Sequence, residues 1–212
     1  MATYRQASSN MRAPPPLIVM GDAGARYTNV AVTLHWLIAA LVVAQLILGW
    51  WMIDIPKQPV GVRAFWFNLH KSIGMTIALF VLVRIAWRFR HPAPPLPACV
   101  PVWQRRAAAV SHALLYACLL GMPLVGFLGS TFSGYPIRYF GITLPTWGYK
   151  SDPLKEFFSA VHLGFAWVFM TLIMLHTVAA LKHLLINRDA VFWRMLPRLE
   201  RDIERSNPTS DL

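Results

Sequence analysis

Apolar residues along the chain fall into four long blocks separated by polar connections. The blocks cover residues 30–53, 69–87, 107–131 and 157–186, and each approaches or exceeds the ~20 residues a helix needs to cross bilayer hydrocarbon. The pattern predicts four membrane-spanning helices, the fourth long enough to tilt or to protrude. Thr28-Asn29 is placed to cap the first run, VAVTLHWLIAALVVAQLILGWWM, and Trp50 and Trp51 suit the far interface. The connection IDIPKQPVGVRAFWFN is irregular in its early part, because it carries two prolines and a glycine. RFRHPAPPLPACVP reads as a basic, proline-rich loop after the second span, and Pro123 interrupts the third. The long aromatic connection FSGYPIRYFGITLPTWGYKSDPLKE is a loop placed to cap a site. The fourth span follows Asp152-Pro153, and Phe192, Trp193 and Met195 among arginines mark a short segment on the membrane surface. The chain therefore divides into a mobile arm (1–29), a four-helix membrane domain (30–186) and a surface tail (187–212).

Composition supports this division. Of the 212 residues 56% are hydrophobic and 14% charged, more apolar than soluble domains of this length. The net charge of +11 suggests nucleic acid at first, but its distribution points elsewhere. Residues 1–29, 84–106 and the chain from Lys182 onward hold 14 of the 20 Lys and Arg. Such a split follows the positive-inside rule and puts both termini and the middle connection in the cytoplasm. The basic excess is then topology and attraction to anionic lipid, not nucleic-acid binding. The N-terminus lacks an apolar core long enough for a secretory signal. Cys99 and Cys118 are too few for a disulfide framework and read as unpaired thiols.

Histidines supply the candidate chemistry. His162 and His176 lie in one apolar run, fourteen residues apart. That separation is about 21 Å of helix and nearly four whole turns, so both imidazoles share a face at different depths. Under the expected topology His70 lies at the depth of His162, near the periplasmic side, and His35 lies in the cytoplasmic half with His176. Four inward imidazoles at two depths suit two haems, each gripped by rings from different helices. With no Cys-x-x-Cys-His, such haems are held non-covalently. Bis-histidine ligation leaves the iron no open position and favours electron transfer over oxygen binding. His112 and His183 stay open as alternative cytoplasmic-side ligands or as quinone contacts, because depth does not separate them from the chosen pair. His91 lies in a polar loop and is taken as solvated. Gly49, Gly74, Gly121, Gly126 and Gly164 make room either for flat macrocycles or for close helix packing. The spans hold no Asp or Glu, which argues against a proton pump built on buried carboxylates, and a two-imidazole pair is incomplete for zinc.

The chain resembles the bacterial cytochrome b561 family of four-helix di-haem membrane cytochromes. RYTNVAVTLHWL, NLHKSIGM, VSHALLY, FGITLP, AVHLGFAWVFMTLIMLHTVAALKHLL and FWRMLPR carry the resemblance, which runs over residues 26–198. FGITLP and FWRMLPR bring it near the subgroup that includes superoxide oxidase. The resemblance implies an all-α bundle in the bacterial inner membrane, two haem b groups, and His35, His70, His162 and His176 as axial ligands. It implies electron transfer from a periplasmic donor, superoxide, to ubiquinone. The longer N-terminal arm departs from the family pattern. Two rivals remain: a cytochrome b subunit serving a separate dehydrogenase or redox partner, and a haem-free membrane scaffold or transporter.

Charge bears on the donor. The expected periplasmic face holds Lys57, Arg63, Lys71, Arg138, Lys150 and Lys155 against Asp54, Asp152 and Glu156, six cations against three acids, a net of +3. Positive-inside sorting would deplete that face. A basic funnel there concentrates an anionic substrate, so Arg138, Lys150 and Lys155 are the candidate steering residues; ordinary solvated loop charge is the other reading.

Overall fold

The computed structural model describes residues 26–59, 61–96, 100–189 and 191–196. It is built on four long helices: α1 (Asn29–Met52), α2 (Val62–Arg90), α3 (Val102–Thr131) and α4 (Asp152–Lys182). All four are long and apolar enough to cross a membrane. A π-turn over His183–Asn187 extends α4, and a 3₁₀ turn covers Trp193–Met195. Most of the 1–29 arm and of the 187–212 tail, and Cys99, lie outside the described residues.

The helices run up and down. Thr28 Oγ1 accepts a bond from the Ala31 N–H at 3.3 Å, capping α1, and another from Trp87 Nε1 at 2.9 Å, which ties the start of α1 to the end of α2. The 3₁₀ segment folds back over the same end: Trp36 Nε1 donates to the Met195 carbonyl at 2.7 Å, and buried Arg194 donates to the Pro94 carbonyl at 2.8 Å. Close backbone packing joins α1 to α2, α2 to α3 and α3 to α4.

A central cluster of Ile38 and Val42 (α1), Ile77 and Val81 (α2), Cys118 (α3) and Phe169 (α4) is buried. On each helix these residues fall between two levels of polar groups, so the tightest packing sits mid-bundle. The outer face is apolar: Ile47, Leu79, Leu124, Val168 and Leu175 are all exposed. A contiguous apolar exterior of this kind is a lipid-facing surface.

Three helices begin earlier than the apolar blocks predict, α2 at Val62, α3 at Val102 and α4 at Asp152. Hydropathy marks the hydrocarbon portion, whereas backbone bonding carries a helix on into the interface. The α3–α4 connection also differs from a plain loop. Arg138–Tyr139 pairs antiparallel with Ile142–Thr143 across Phe140-Gly141, both at positive φ (45° and 93°). This two-residue turn matches strand twist, but strands of two residues leave no alternation to read.

That hairpin leans on α2. Ser72, 1% exposed, accepts from the Phe140 N–H at 2.9 Å; its hydroxyl lies 2.8 Å from the Asn68 carbonyl and 3.2 Å from the Arg138 carbonyl. Thr76 Oγ1 lies 3.2 Å from the Tyr139 hydroxyl. Ser72 is two residues from His70, about 200° round the helix. The hairpin therefore braces α2 from the side away from the His70 ring.

Candidate functional site

Periodicity brings four histidines into the bundle, all half-buried. They meet in two pairs. The ring centres of His70 (α2) and His162 (α4) are 6.3 Å apart with planes at 73°. Those of His35 (α1) and His176 (α4) are 6.4 Å apart with planes at 65°. Metal–imidazole bonds run about 2 Å and a ring nitrogen lies about 1 Å from its ring centre, so two imidazoles gripping one metal from opposite sides have centres about 6 Å apart. Both pairs meet that spacing. They also bridge α2 to α4 and α1 to α4, helix pairs outside the close backbone contacts.

The surroundings of the His70–His162 pair fit the same ligand class. His162 Nδ1 lies 3.2 Å from the Met122 carbonyl. A carbonyl only accepts, so Nδ1 carries the proton and Nε2 keeps its lone pair for a metal. Glycines face both rings: a Cβ at Gly49 would stand 3.1 Å from His70 Cε1, and one at Gly126 would stand 3.1 Å from His162 Cε1. His70 Nδ1 is buried without a partner, as is Gln45 Oε1, while Gln45 Nε2 donates to the His70 carbonyl at 2.7 Å. Two imidazoles with no carboxylate or thiolate suit a macrocycle that fills the other coordination positions itself.

The remaining histidines separate. His112 stands 5.3 Å from His176, centre to centre, and bonds back to the Ala108 carbonyl. That spacing is short for two rings on one metal. His183 turns to Asp189, with Nδ1 2.6 Å from Oδ2. His91 is exposed but stacked on Trp87 at 4.1 Å.

The other glycines have different neighbours. A Cβ at Gly121 would meet Phe165 at 2.8 Å, one at Gly74 would meet Gln45 at 3.4 Å, and Gly164 has open space. Arg138, Lys150 and Lys155 are exposed in or beside the α3–α4 connection, at the His162 end of α4. Lys71 lies within electrostatic reach of the His70 ring.

Two features escaped the sequence reading. Gln45 supports His70 from α1, and Arg84 on α2 donates to the Ala31 carbonyl at 2.6 Å and to the Tyr116 hydroxyl at 3.1 Å. A lone amide and a lone guanidinium within apolar runs were the signals available for each.

The family described as "Prokaryotic cytochrome b561" matches this chain over residues 26–198. Cytochrome b561 homolog 2 of Escherichia coli (strain K12) is 34% identical over 183 residues, covering 84% of this chain and 94% of the relative. Cytochrome b561 homolog 1 of the same organism is 26% identical over 179 residues, 82% of this chain and 98% of the relative. The probable superoxide oxidase CybB of Yersinia pestis is 26% identical over 174 residues, 82% and 97% respectively.

Proposed function

Because this chain belongs to the prokaryotic cytochrome b561 family, a family of haem-binding, electron-transferring membrane cytochromes, we propose that it holds two haem b groups and passes electrons from periplasmic superoxide to ubiquinone. Both termini face the cytoplasm in this reading, the membrane is the bacterial inner membrane, and residues 30–186 form the di-haem domain between an N-terminal arm and a surface tail. One observation carries it: two imidazole pairs with the same spacing, 6.3 and 6.4 Å, at two levels of one bundle.

His70 and His162 hold one haem, on the periplasmic side, and His35 and His176 the other. Haem b, if bound between these imidazoles, would supply a one-electron iron couple suited to electron transfer. The Met122 carbonyl fixes the His162 tautomer. Glycines 49 and 126 leave the rings room, and the apolar cluster between the levels keeps water out. Arg138, Lys150 and Lys155 attract the anionic donor. The balance is two superoxide anions oxidised to dioxygen for each ubiquinone that takes up two electrons and two protons to become ubiquinol. The kinship with a probable superoxide oxidase supports the choice of donor.

The test is haem stoichiometry with superoxide-dependent ubiquinone reduction on the purified chain. Two haems per polypeptide are expected. His70→Ala and His162→Ala should remove or perturb the same haem, and His35→Ala and His176→Ala the other. A colourless folded protein, or loss of the second haem in His112→Ala but not in His176→Ala, overturns the assignment. A partner chain that co-purifies and is needed for turnover replaces superoxide with that partner as donor.

A further inference from the structure

Arg84 carries a charge that the described bundle does not balance. It sits in the second apolar run, half-buried, with α1 on one side and α3 on the other. Both of its partners are neutral: Nη1 donates to the Ala31 carbonyl at 2.6 Å and Nε to the Tyr116 hydroxyl at 3.1 Å. A guanidinium has five N–H donors, so three remain unused. Among the described residues the acids are Asp54, Asp152, Glu156 and Asp189. The first three lie at the opposite end of the bundle and Asp189 is held by His183. A cation at membrane depth with neutral partners alone is costly and calls for a counter-ion.

Its position bears on the choice of counter-ion. Arg84 lies within electrostatic reach of both His35 and His112, at the level of the His35–His176 pair. It borders a cleft lined by Tyr27, Ala31, Trp87, Arg88, His91 and Tyr116. The Tyr116 hydroxyl accepts from Arg84 and retains its own proton to donate, so two donors meet at one place. Arg88, one turn further, is more exposed and lines the same cleft, within electrostatic reach of His112. Arg84 is tied inward by helices on both sides.

We propose that Arg84, together with Tyr116, binds a propionate carboxylate of the haem held between His35 and His176. The proposal rests on the di-haem reading above. A charge-assisted bond from a planar guanidinium to a carboxylate is the strong form of this contact, and it fixes the rotation of the macrocycle about the axis joining its imidazoles. Arg84 also raises the midpoint potential of that haem, since the ferric form carries one more positive charge than the ferrous form and is disfavoured beside a cation.

The test is potentiometric titration of the purified two-haem protein and of Arg84→Gln, Arg84→Lys and Tyr116→Phe, with resonance Raman spectra of the propionate bending modes. In Arg84→Gln the ferric-to-ferrous ratio of one haem should rise about tenfold at fixed potential, a fall of about 59 mV for one electron. That haem must be the one lost in His35→Ala. Arg84→Lys should give a smaller fall, and Tyr116→Phe should move the propionate band while leaving the potential near that of the parent. The second haem reports correct folding in every variant.

Two unchanged potentials with an unchanged propionate band in Arg84→Gln would sink the proposal. So would loss of co-purifying anionic lipid with both haems unaffected, which would assign the guanidinium to a lipid phosphate. A parent protein with fewer than two haems, or one in which His35→Ala keeps both, would instead bring down the di-haem reading beneath it.

Discussion

Gly49 and Gly126 stand on α1 and α3, yet both face the same imidazole pair. A methyl group at either position would stand 3.1 Å from a ring carbon, inside the ~3.5–4.0 Å of ordinary carbon contact. Gly49→Ala should therefore displace His70, and Gly126→Ala should displace His162. Each should lower occupancy of one haem and spare the other, as read from haem content and difference spectra. Helix propensity works in the opposite direction, favouring Ala over Gly by roughly 1 kcal/mol. Gly164→Ala is the control, because nothing lies within 4 Å of its added Cβ; it should be neutral or slightly stabilising. Five glycines in apolar runs were visible in the sequence with two readings open for each. The contacts divide them: two against imidazoles, one against Phe165, one against Gln45 and one in open space. That division depends on which residue of another helix faces each position, information no single helix carries.

At the scale of elements, the short hairpin is held to α2 by two hydroxyls, of which Ser72 serves its backbone. Ser72 accepts from the Phe140 N–H and lies near the Arg138 carbonyl. Ser72→Ala leaves that amide without its partner, at a cost of about 1–3 kcal/mol. Hydrogen exchange at Phe140 should accelerate by about tenfold for each 1.4 kcal/mol lost, with proteolysis of the α3–α4 connection rising in parallel. Exchange that matches the parent would show that the hairpin is held by other contacts. The four helices were legible in the hydropathy, and so was the irregular start of the first connection. Their N-terminal extensions were not, because interface residues are polar enough to end an apolar run without ending a helix. The hairpin was not, because its turn is Phe140-Gly141 and its strands hold two residues each.

At the scale of the whole molecule, the distribution of charge matters more than its sum. Arg138, Lys150 and Lys155 are exposed in one connection and the helix start beside it. Reversing any one of them to Glu should slow superoxide consumption several-fold at low ionic strength. The differences should shrink near physiological salt, where the screening length is about 8 Å. Rapid-mixing kinetics over a salt series check this, and rates indifferent to both salt and reversal would remove the steering role. Haem content should stay at the parent level in these variants, since none of the three residues contacts the imidazole pairs.

The chain's own pattern determined the number of spans, from the lengths of its apolar blocks, and the spacing of the histidines along each helix, because helix rise and turn are local quantities; the placing of Lys and Arg supplied the expected orientation. Sequence depth grouped His35, His112, His176 and His183 without ranking them by distance. Tertiary structure separated them: His176 lies 6.4 Å from His35 and 5.3 Å from His112, and His183 is turned to Asp189. It also turned Gly49 and Gly126 toward rings on neighbouring helices and drew Arg84 to a carbonyl of α1 and a phenol of α3. Those outcomes depend on the azimuth of each helix and its distance from the next, which side-chain packing across the bundle decides and one helix's own pattern does not contain.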